Sequence, residues 1–157
     1  MEAEVYPDPR VVEAVTSGFV PVKAHIKENP SAFDRFGAQW TPTQIVLDPD
    51  GVERFRIEGY LPADDLLAQL GMGLGRVAFA LGRYPEAEPL FREVWTKHPK
   101  SLSAPEARYW EGVSAYKATQ NPAKLSETAV ALRKMSPQSE WARKSSVWLP
   151  QEASQGQ

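Results

Sequence analysis

Two short segments between residues 45 and 57 have the hydrophobic patterns of β-strands. The first part is a short apolar run at 45–47, which is followed by Asp-Pro-Asp-Gly at 48–51. This order is typical of a tight turn, because aspartate bonds its own backbone, proline presets φ and glycine fits the last position. Beyond the turn, Phe55 and Ile57 share one face of an alternating segment. The pattern therefore predicts a β-hairpin.

Helices and one more strand are predicted around this hairpin. A capping residue followed by proline occurs at residues 8–9 and again at 29–30, and each pair is expected to start a helix. A third helix is predicted from Pro62, where two acidic residues suit the positive end of the helix dipole. Between the first two helices, residues 19–26 have the apolar and β-branched content of a strand.

A glycine-rich segment separates this part from a wholly helical one. Residues 71–75 are Gly-Met-Gly-Leu-Gly, and a phosphate-binding loop is a poor interpretation because the glycines follow a helix and not a strand. Two interpretations stay open. The segment is either a joint between two domains or a place where helices approach closely.

The helical part begins with the spacing of a tetratricopeptide repeat, a 34-residue unit of two helices. Nine residues match the spacing of that unit: Leu74, Gly75, Ala78, Gly82, Tyr84, Ala87, Phe91, Val94 and Pro99. A second helix pair, 104–116 and 122–132, follows the pattern less closely. Pro89 lies inside the second helix of the first unit, where we expect a bend or a later helix start.

The last predicted helix follows Pro137 and carries two tryptophans. Trp141 and Trp148 are seven residues apart, which places them on one helical face. We favour a structural role, in which the two rings cover the end of the repeat stack, over a ligand site. The tail at 150–157 has no large apolar residue and is expected to be disordered.

Composition narrows the classes of function. The 157 residues include 18 basic and 20 acidic side chains and no cysteine. This balance argues against a nucleic-acid partner, and the sequence has no apolar run of membrane-spanning length. The acidic N-terminus lacks the apolar stretch of a secretory signal, so a cytoplasmic location is expected. With only His25 and His98 and no thiol, we expect no catalytic triad, no metal site and no cofactor.

The hairpin region resembles the C-terminal half of thioredoxin-like proteins. The resemblance rests on Trp-Thr-Pro-Thr at 40–43, the apolar strand, the Asp-Pro-Asp-Gly turn, the second strand, Gly-Tyr at 59–60 and the helix after it. It implies a cis peptide bond before Pro42 and a groove that binds extended peptides through main-chain hydrogen bonds. The implied peptide-binding residues are Trp40, Thr41, Pro42, Gly59 and Tyr60.

The resemblance also implies that an N-terminal part of the fold is missing. Thioredoxin-like proteins begin with a strand and a Cys-x-x-Cys motif, whereas residues 1–9 resemble the segment that follows this motif in such relatives. We expect the reading frame upstream of Met1 to encode roughly thirty more residues, the length of one strand with a leading helix and turn. Without that strand, exposed strand edges would allow copies of the chain to form a homo-oligomer.

Together these patterns predict an α/β plus all-α protein. An incomplete thioredoxin-like domain at 1–70 precedes a tetratricopeptide-like helical domain at 71–149 and the tail at 150–157. The first functional interpretation is a member of the thioredoxin-like thiol–disulfide oxidoreductase family that is redox-inactive, and so not an enzyme, because it has no cysteine. The alternative is a non-enzymatic adaptor that binds protein or peptide clients through the groove or the repeat surface. A third interpretation gives the helical half a purely structural role.

Overall fold

The computed structural model describes residues 1 and 3–151, so residues 152–157 of the predicted disordered tail lie outside the described residues. The described residues form a β-hairpin with helices before it and a longer series of helices after it. In chain order the elements are α1 (Pro9–Gly18), α2 (Pro30–Phe36), β1 (Thr43–Leu47), β2 (Glu53–Glu58), α3 (Ala63–Ala80), α4 (Tyr84–Lys97), α5 (Ala104–Thr119), α6 (Ala123–Met135), α7 (Glu140–Lys144) and a 3-10 turn (Ser145–Trp148). This architecture agrees with a mixed α/β part followed by a helical part.

The predicted hairpin is confirmed. β1 and β2 pair antiparallel, with Ile45 opposite Arg56 and Val46 opposite Phe55. Val46 and Ile57 are buried, and α3 contacts both strands. Helix α3 therefore closes one face of the hairpin, which supplies the packing that an isolated two-stranded sheet needs.

Asp48 organises the turn between the two strands. Its Oδ1 accepts hydrogen bonds from the backbone amides of Asp50 at 2.9 Å and Val52 at 3.0 Å. Its Oδ2 accepts from Nε of Arg54 at 2.8 Å, and the carboxylate has no exposed surface. The Val52 amide, together with Arg54 and Asp50, holds the pKa of Asp48 below its ordinary value despite the burial of the carboxyl group.

The strand predicted at 19–26 is wrong. Within the described residues the sheet contains only β1 and β2, and residues 19–25 adopt no regular structure. Val20 and Val22 are 92% and 88% exposed, which shows that their side chains pack against nothing. Apolar, β-branched composition favours an extended chain, but a strand also needs a neighbouring backbone to share its hydrogen bonds. No such neighbour lies beside this segment in the described part of the chain.

Helix α3 runs without a break through the glycine-rich segment and past it to Ala80. The segment at 71–75 therefore forms part of one helix. The predicted domain boundary at residue 70 falls inside this helix, so it is not marked by any change of secondary structure. Instead, this one helix contacts both the hairpin and α4.

The glycines of α3 allow close packing on two sides. A Cβ atom added at Gly73 would lie 2.8 Å from Cγ2 of Val46 in the hairpin. A Cβ atom added at Gly75 would lie 2.5 Å from Cε1 of Phe91 in α4, and Gly71 faces α4 in the same way. The second interpretation of the segment, close approach of helices, is confirmed. Glycine fits at these positions because it has no side chain, although it lowers the helix propensity of the segment.

The helices α3 to α6 contact one another in chain order. Helix α4 begins at Tyr84 and continues through Pro89, so the expectation of a later helix start at Pro89 is wrong.

The buried apolar side chains form two cores. The helical core contains Ala68, Met72, Ala78, Ala87, Phe91, Val94 and Ala107. The core beneath the hairpin contains Val5, Val11, Ile57, Leu66 and Leu70.

Candidate peptide-binding site

The residues predicted to bind peptides meet where the chain enters β1 and leaves β2. The backbone amide of Gly59 donates a 2.8 Å hydrogen bond to the carbonyl oxygen of Pro42, which ties the two segments together. The hydroxyl of Thr43 donates to the carbonyl oxygen of Trp40 at 2.7 Å and fixes the turn before the strand. The Thr41–Pro42 peptide bond is cis. Gly59 has φ of 87°, a conformation that glycine adopts at low cost.

Two aromatic side chains stand out into solvent at this site. Trp40 is 70% exposed and Tyr60 is 57% exposed, whereas Pro42 is half-buried. The ring of Trp40 is therefore open to solvent among the described residues. Exposed aromatic rings beside a rigid backbone corner are a common feature of peptide-binding surfaces.

The backbone of Thr41 is free to bind a ligand. Across residues 1 and 3–151, neither its N–H nor its carbonyl oxygen takes part in a hydrogen bond, and the residue is exposed. One donor and one acceptor therefore lie next to the exposed Trp40 ring. A peptide in an extended conformation carries the complementary pair of groups on alternate residues.

Salt bridges hold the surrounding elements in place. The guanidinium of Arg56 donates to Glu53 at 2.6 Å and also to the carbonyl oxygen of Phe36, so it joins β2 to the end of α2. The ion pair lowers the pKa of Glu53 and raises that of Arg56. On the other side, Arg10 bridges Asp8 and Asp64, at 2.8 Å and 2.6 Å, and so links the start of α1 to α3.

The tryptophans of the C-terminal end cover a tyrosine of α5. The ring of Tyr109 stacks on Trp148 with the centroids 4.9 Å apart, and its centroid lies 5.1 Å from that of Trp141. Both rings therefore pack on the same side chain of the helical layer. This arrangement is the structural one that their seven-residue spacing favours, although Trp148 belongs to the 3-10 turn and not to α7.

Sequence reasoning missed a buried carboxylate between α4 and α5. Glu111 accepts hydrogen bonds from Arg92 Nε at 2.7 Å, Trp95 Nε1 at 2.6 Å and Arg108 at 2.9 Å. Both carboxylate oxygens are used, so the group is satisfied and structural in role. The available signal was its spacing, because it lies four residues after Ala107 and four before Ala115, which are both buried.

The helical surface also carries a patch of mixed charge. The guanidinium carbon of Arg76 lies 4.2 Å from the ring centroid of Trp110, a cation–π arrangement that joins α3 to α5. Burial raises the pKa of the neighbouring Glu106, and the positive charge of Arg76 opposes this shift.

A shallow cavity of about 580 Å³ lies between residues 99–105 and 135–141. The very exposed Leu102 lies at its rim.

No metal site or membrane span is seen in the described part of the chain. Among residues 1 and 3–151, no three His, Asp or Glu side chains lie close enough together to hold a metal ion. The same residues include no helix with the length and apolar character needed to cross a membrane.

One of the two histidines, His25, lies in an exposed turn. Its Nδ1 accepts a hydrogen bond from the backbone amide of Lys27 at 3.3 Å.

Comparison with known protein families assigns the first part of the chain. Residues 1–73 match the family model described as a thioredoxin-like domain. This match supports a thioredoxin-like domain in the first part of the chain and leaves residues 74–157 uncovered. Comparisons with curated proteins and with solved structures gave no significant match.

Proposed function

We propose that the thioredoxin-like domain of this chain binds extended segments of other proteins and carries out no thiol chemistry. The 157 residues contain no cysteine, so they cannot form the mixed disulfide through which thiol–disulfide exchange proceeds. The chain would then keep the substrate-binding half of an oxidoreductase fold without its reaction. An insulin-reduction assay should show no turnover above the dithiothreitol background.

The observation that carries this proposal is the unpaired backbone of Thr41 next to the exposed Trp40 in the chain. A bound segment would exchange hydrogen bonds with the N–H and carbonyl of Thr41, which is the β-augmentation mode of peptide recognition. Trp40 and Tyr60 would supply the apolar contacts, since large aromatic rings contribute much of the affinity at protein interfaces. The 2.8 Å hydrogen bond between Gly59 and Pro42 keeps both parts of the site in register.

The binding experiment uses the S-carboxymethylated B chain of insulin, labelled with fluorescein, as a probe without a free thiol. Fluorescence anisotropy should show saturable binding, and Trp40→Ala should weaken it by about tenfold, equivalent to roughly 1.4 kcal/mol. Val147→Ala is the matched control, because Val147 is an exposed apolar residue at the opposite end of the chain. The absence of saturable binding, or equal affinities for Trp40→Ala and the parent chain, would refute the proposal.

A second candidate function places the binding surface on the helices. We propose that α3 to α6 form tetratricopeptide-like pairs, because Gly75, Ala78, Ala87 and Phe91 occupy buried positions at the spacing of that repeat. The cavity beside the exposed Leu102 would then serve an adaptor. If Leu102→Ala weakens binding of the same probe and Trp40→Ala does not, the adaptor surface lies on the helical part and the groove at Pro42 is not the site.

A further inference from the structure

A concave surface lies at one end of the helical part, where the connection from α4 to α5 meets the connection from α6 to α7. These two connections line the shallow cavity of about 580 Å³. Its apolar lining includes Leu102, Met135 and Trp141. Leu102 is 93% exposed and Met135 is 40% exposed. Exposed apolar side chains gathered at a concavity are typical of a surface that binds a partner.

The exposure of Leu102 does not come from a loose loop. The backbone amide of Ala104 donates to the carbonyl oxygen of Ser101 at 3.1 Å, and Nε2 of Gln69 donates to Oγ of Ser103 at 2.8 Å. Ser103 and Ala104 are both buried. The chain around Leu102 is therefore fixed, and its side chain is held outward in advance. Such preorganisation reduces the conformational entropy that is lost on binding.

The charged groups at this surface have a net positive charge. Lys100 lines the cavity and Lys134 immediately precedes Met135, and neither lysine forms an ion pair with another residue of the described chain. Glu140 is the carboxylate among the lining residues, and Nζ of Lys144 lies 3.4 Å from its Oε1 and balances its charge. The surface therefore attracts anionic groups.

The cavity also offers a hydrogen-bond donor to an anion. Oγ of Ser101 is buried in the lining, and it has no hydrogen-bond partner among residues 1 and 3–151. Ala104 and Pro105 line the same cavity with the first turn of α5, and the N-terminal end of a helix has a partial positive charge. Together with Lys100, these groups suit a carboxylate that lies next to an apolar side chain.

We propose that this surface binds a segment of a partner protein in which leucine-like side chains are flanked by glutamate or aspartate. The apolar side chains of the segment pack against Leu102 and Met135, and its carboxylates face Lys100 and Lys134. This proposal rests on the second candidate function, the adaptor surface on the helices, and names the chemistry of its partner. It does not involve the groove at Pro42.

Two other occupants fit the surface less well. A second copy that docked through the same surface would bring like charges together, which opposes association. A flat bilayer would contact Leu102, but it would reach fewer of the side chains that line a concave surface. An extended segment can follow the concavity and place its carboxylates beside both lysines.

Fluorescence anisotropy with a fluorescein-labelled peptide, a leucine pair flanked on both sides by glutamates, tests the proposal on the whole chain. We expect saturable binding that weakens in about 0.5 M sodium chloride, because salt screens exposed charges. A peptide with glutamine in place of each glutamate should bind about tenfold more weakly. Leu102→Ala should weaken the binding of both peptides, because it removes an apolar contact that they share.

Charge reversal supplies the matched variants. Lys100→Glu/Lys134→Glu should bind the glutamate peptide at least about tenfold more weakly than the parent chain, and should bind a lysine version of the peptide more tightly than the parent does. Lys117→Glu/Lys124→Glu makes the same change in net charge at the opposite ends of α5 and α6, and it should bind like the parent. Equal melting temperatures would show that both variants keep the fold.

Several results would overturn the proposal. Equal binding of the glutamate and glutamine peptides, both weakened by Leu102→Ala, would leave an adaptor surface on the helices but reject an acidic partner. An equal loss of binding in the two charge-reversal variants would reject this location. No saturable binding up to about 1 mM peptide would also overturn it. In that case, co-sedimentation with phosphatidylserine vesicles would indicate a membrane, and a doubled mass that Leu102→Ala abolishes would indicate a second copy.

Discussion

Alanine at position 75 should destabilise the protein although alanine is the better helix former. In an unhindered helix the change from glycine to alanine adds about 1 kcal/mol of stability. Here the new Cβ atom would lie 2.5, 2.7 and 2.8 Å from three ring atoms of Phe91, which is fully buried. Carbon atoms pack best at about 3.5–4.0 Å, so the ring would have to move inside a filled core.

The expected net loss follows from these two opposing effects. Overpacking of a core costs about 1–3 kcal/mol and sometimes more, and the rigid ring places this site at the upper end of that range. Subtracting the gain in helix propensity leaves a loss of about 2 kcal/mol. For a chain of this size the melting temperature should fall by roughly 4–8 °C.

Thermal unfolding followed by circular dichroism measures this loss. Ala118→Gly, at an exposed position in the last turn of α5, gives the propensity effect alone and should cost less than about 1 kcal/mol, because that value applies to the interior of a helix. Combining Gly75→Ala with Phe91→Leu should recover part of the loss, with a coupling free energy of about 1 kcal/mol in the double-mutant cycle. If Gly75→Ala melts at or above the parent temperature, α3 and α4 do not approach as closely as described.

Three further predictions concern the rest of the fold. The pKa of Asp48 is lowered in the folded state, chiefly by the hydrogen bond from the Val52 amide. The ionised carboxylate therefore stabilises the fold at pH values above its unfolded pKa, and this stabilisation is lost as the pH falls through the lower folded pKa. The stability of the Asp48→Asn variant should therefore depend less on pH below about pH 4. Trp148→Ala should lower the melting temperature by several degrees because it removes the ring stacked on Tyr109, whereas Val147→Ala, at an exposed position, should not. In hydrogen exchange, backbone amides of α4 to α6 should exchange more slowly than those of β1 and β2; equal or reversed protection would contradict the view that the helical part is the more stable one.

The sequence predicted those parts of the fold that depend on local chemistry. Asp8 caps α1, proline occupies the first position of both α1 and α2, and Gly37 ends α2 in a left-handed conformation. The turn at 48–51 connects the two strands of the hairpin. Residues 19–26 could not be predicted in the same way, because their conformation depends on whether another strand lies beside them. The unbroken course of α3 was also missed, since glycine lowers helix propensity and only the facing side chains of Val46 and Phe91 explain its presence.

For the candidate site too, only the features that depend on local sequence could be predicted. The order of residues around Pro42 and Gly59 was enough to predict that they lie together, because a hairpin brings its two ends into contact. Exposure of Trp40 could not be deduced, since an aromatic residue there could equally have been buried. Glu111 was missed because its three donors come from α4 and α5, and only the packed structure brings them together.

The most direct test of peptide binding is hydrogen exchange at the backbone amide of Thr41, with and without the carboxymethylated B chain of insulin. In the free protein this amide has no hydrogen-bond partner among the described residues, so it should exchange rapidly. If a bound segment pairs with the backbone at this position, the amide should become protected while the amides of α5 stay unchanged. Protection confined to residues 99–105 and 135–141, with Thr41 still exchanging rapidly, would contradict binding at this site.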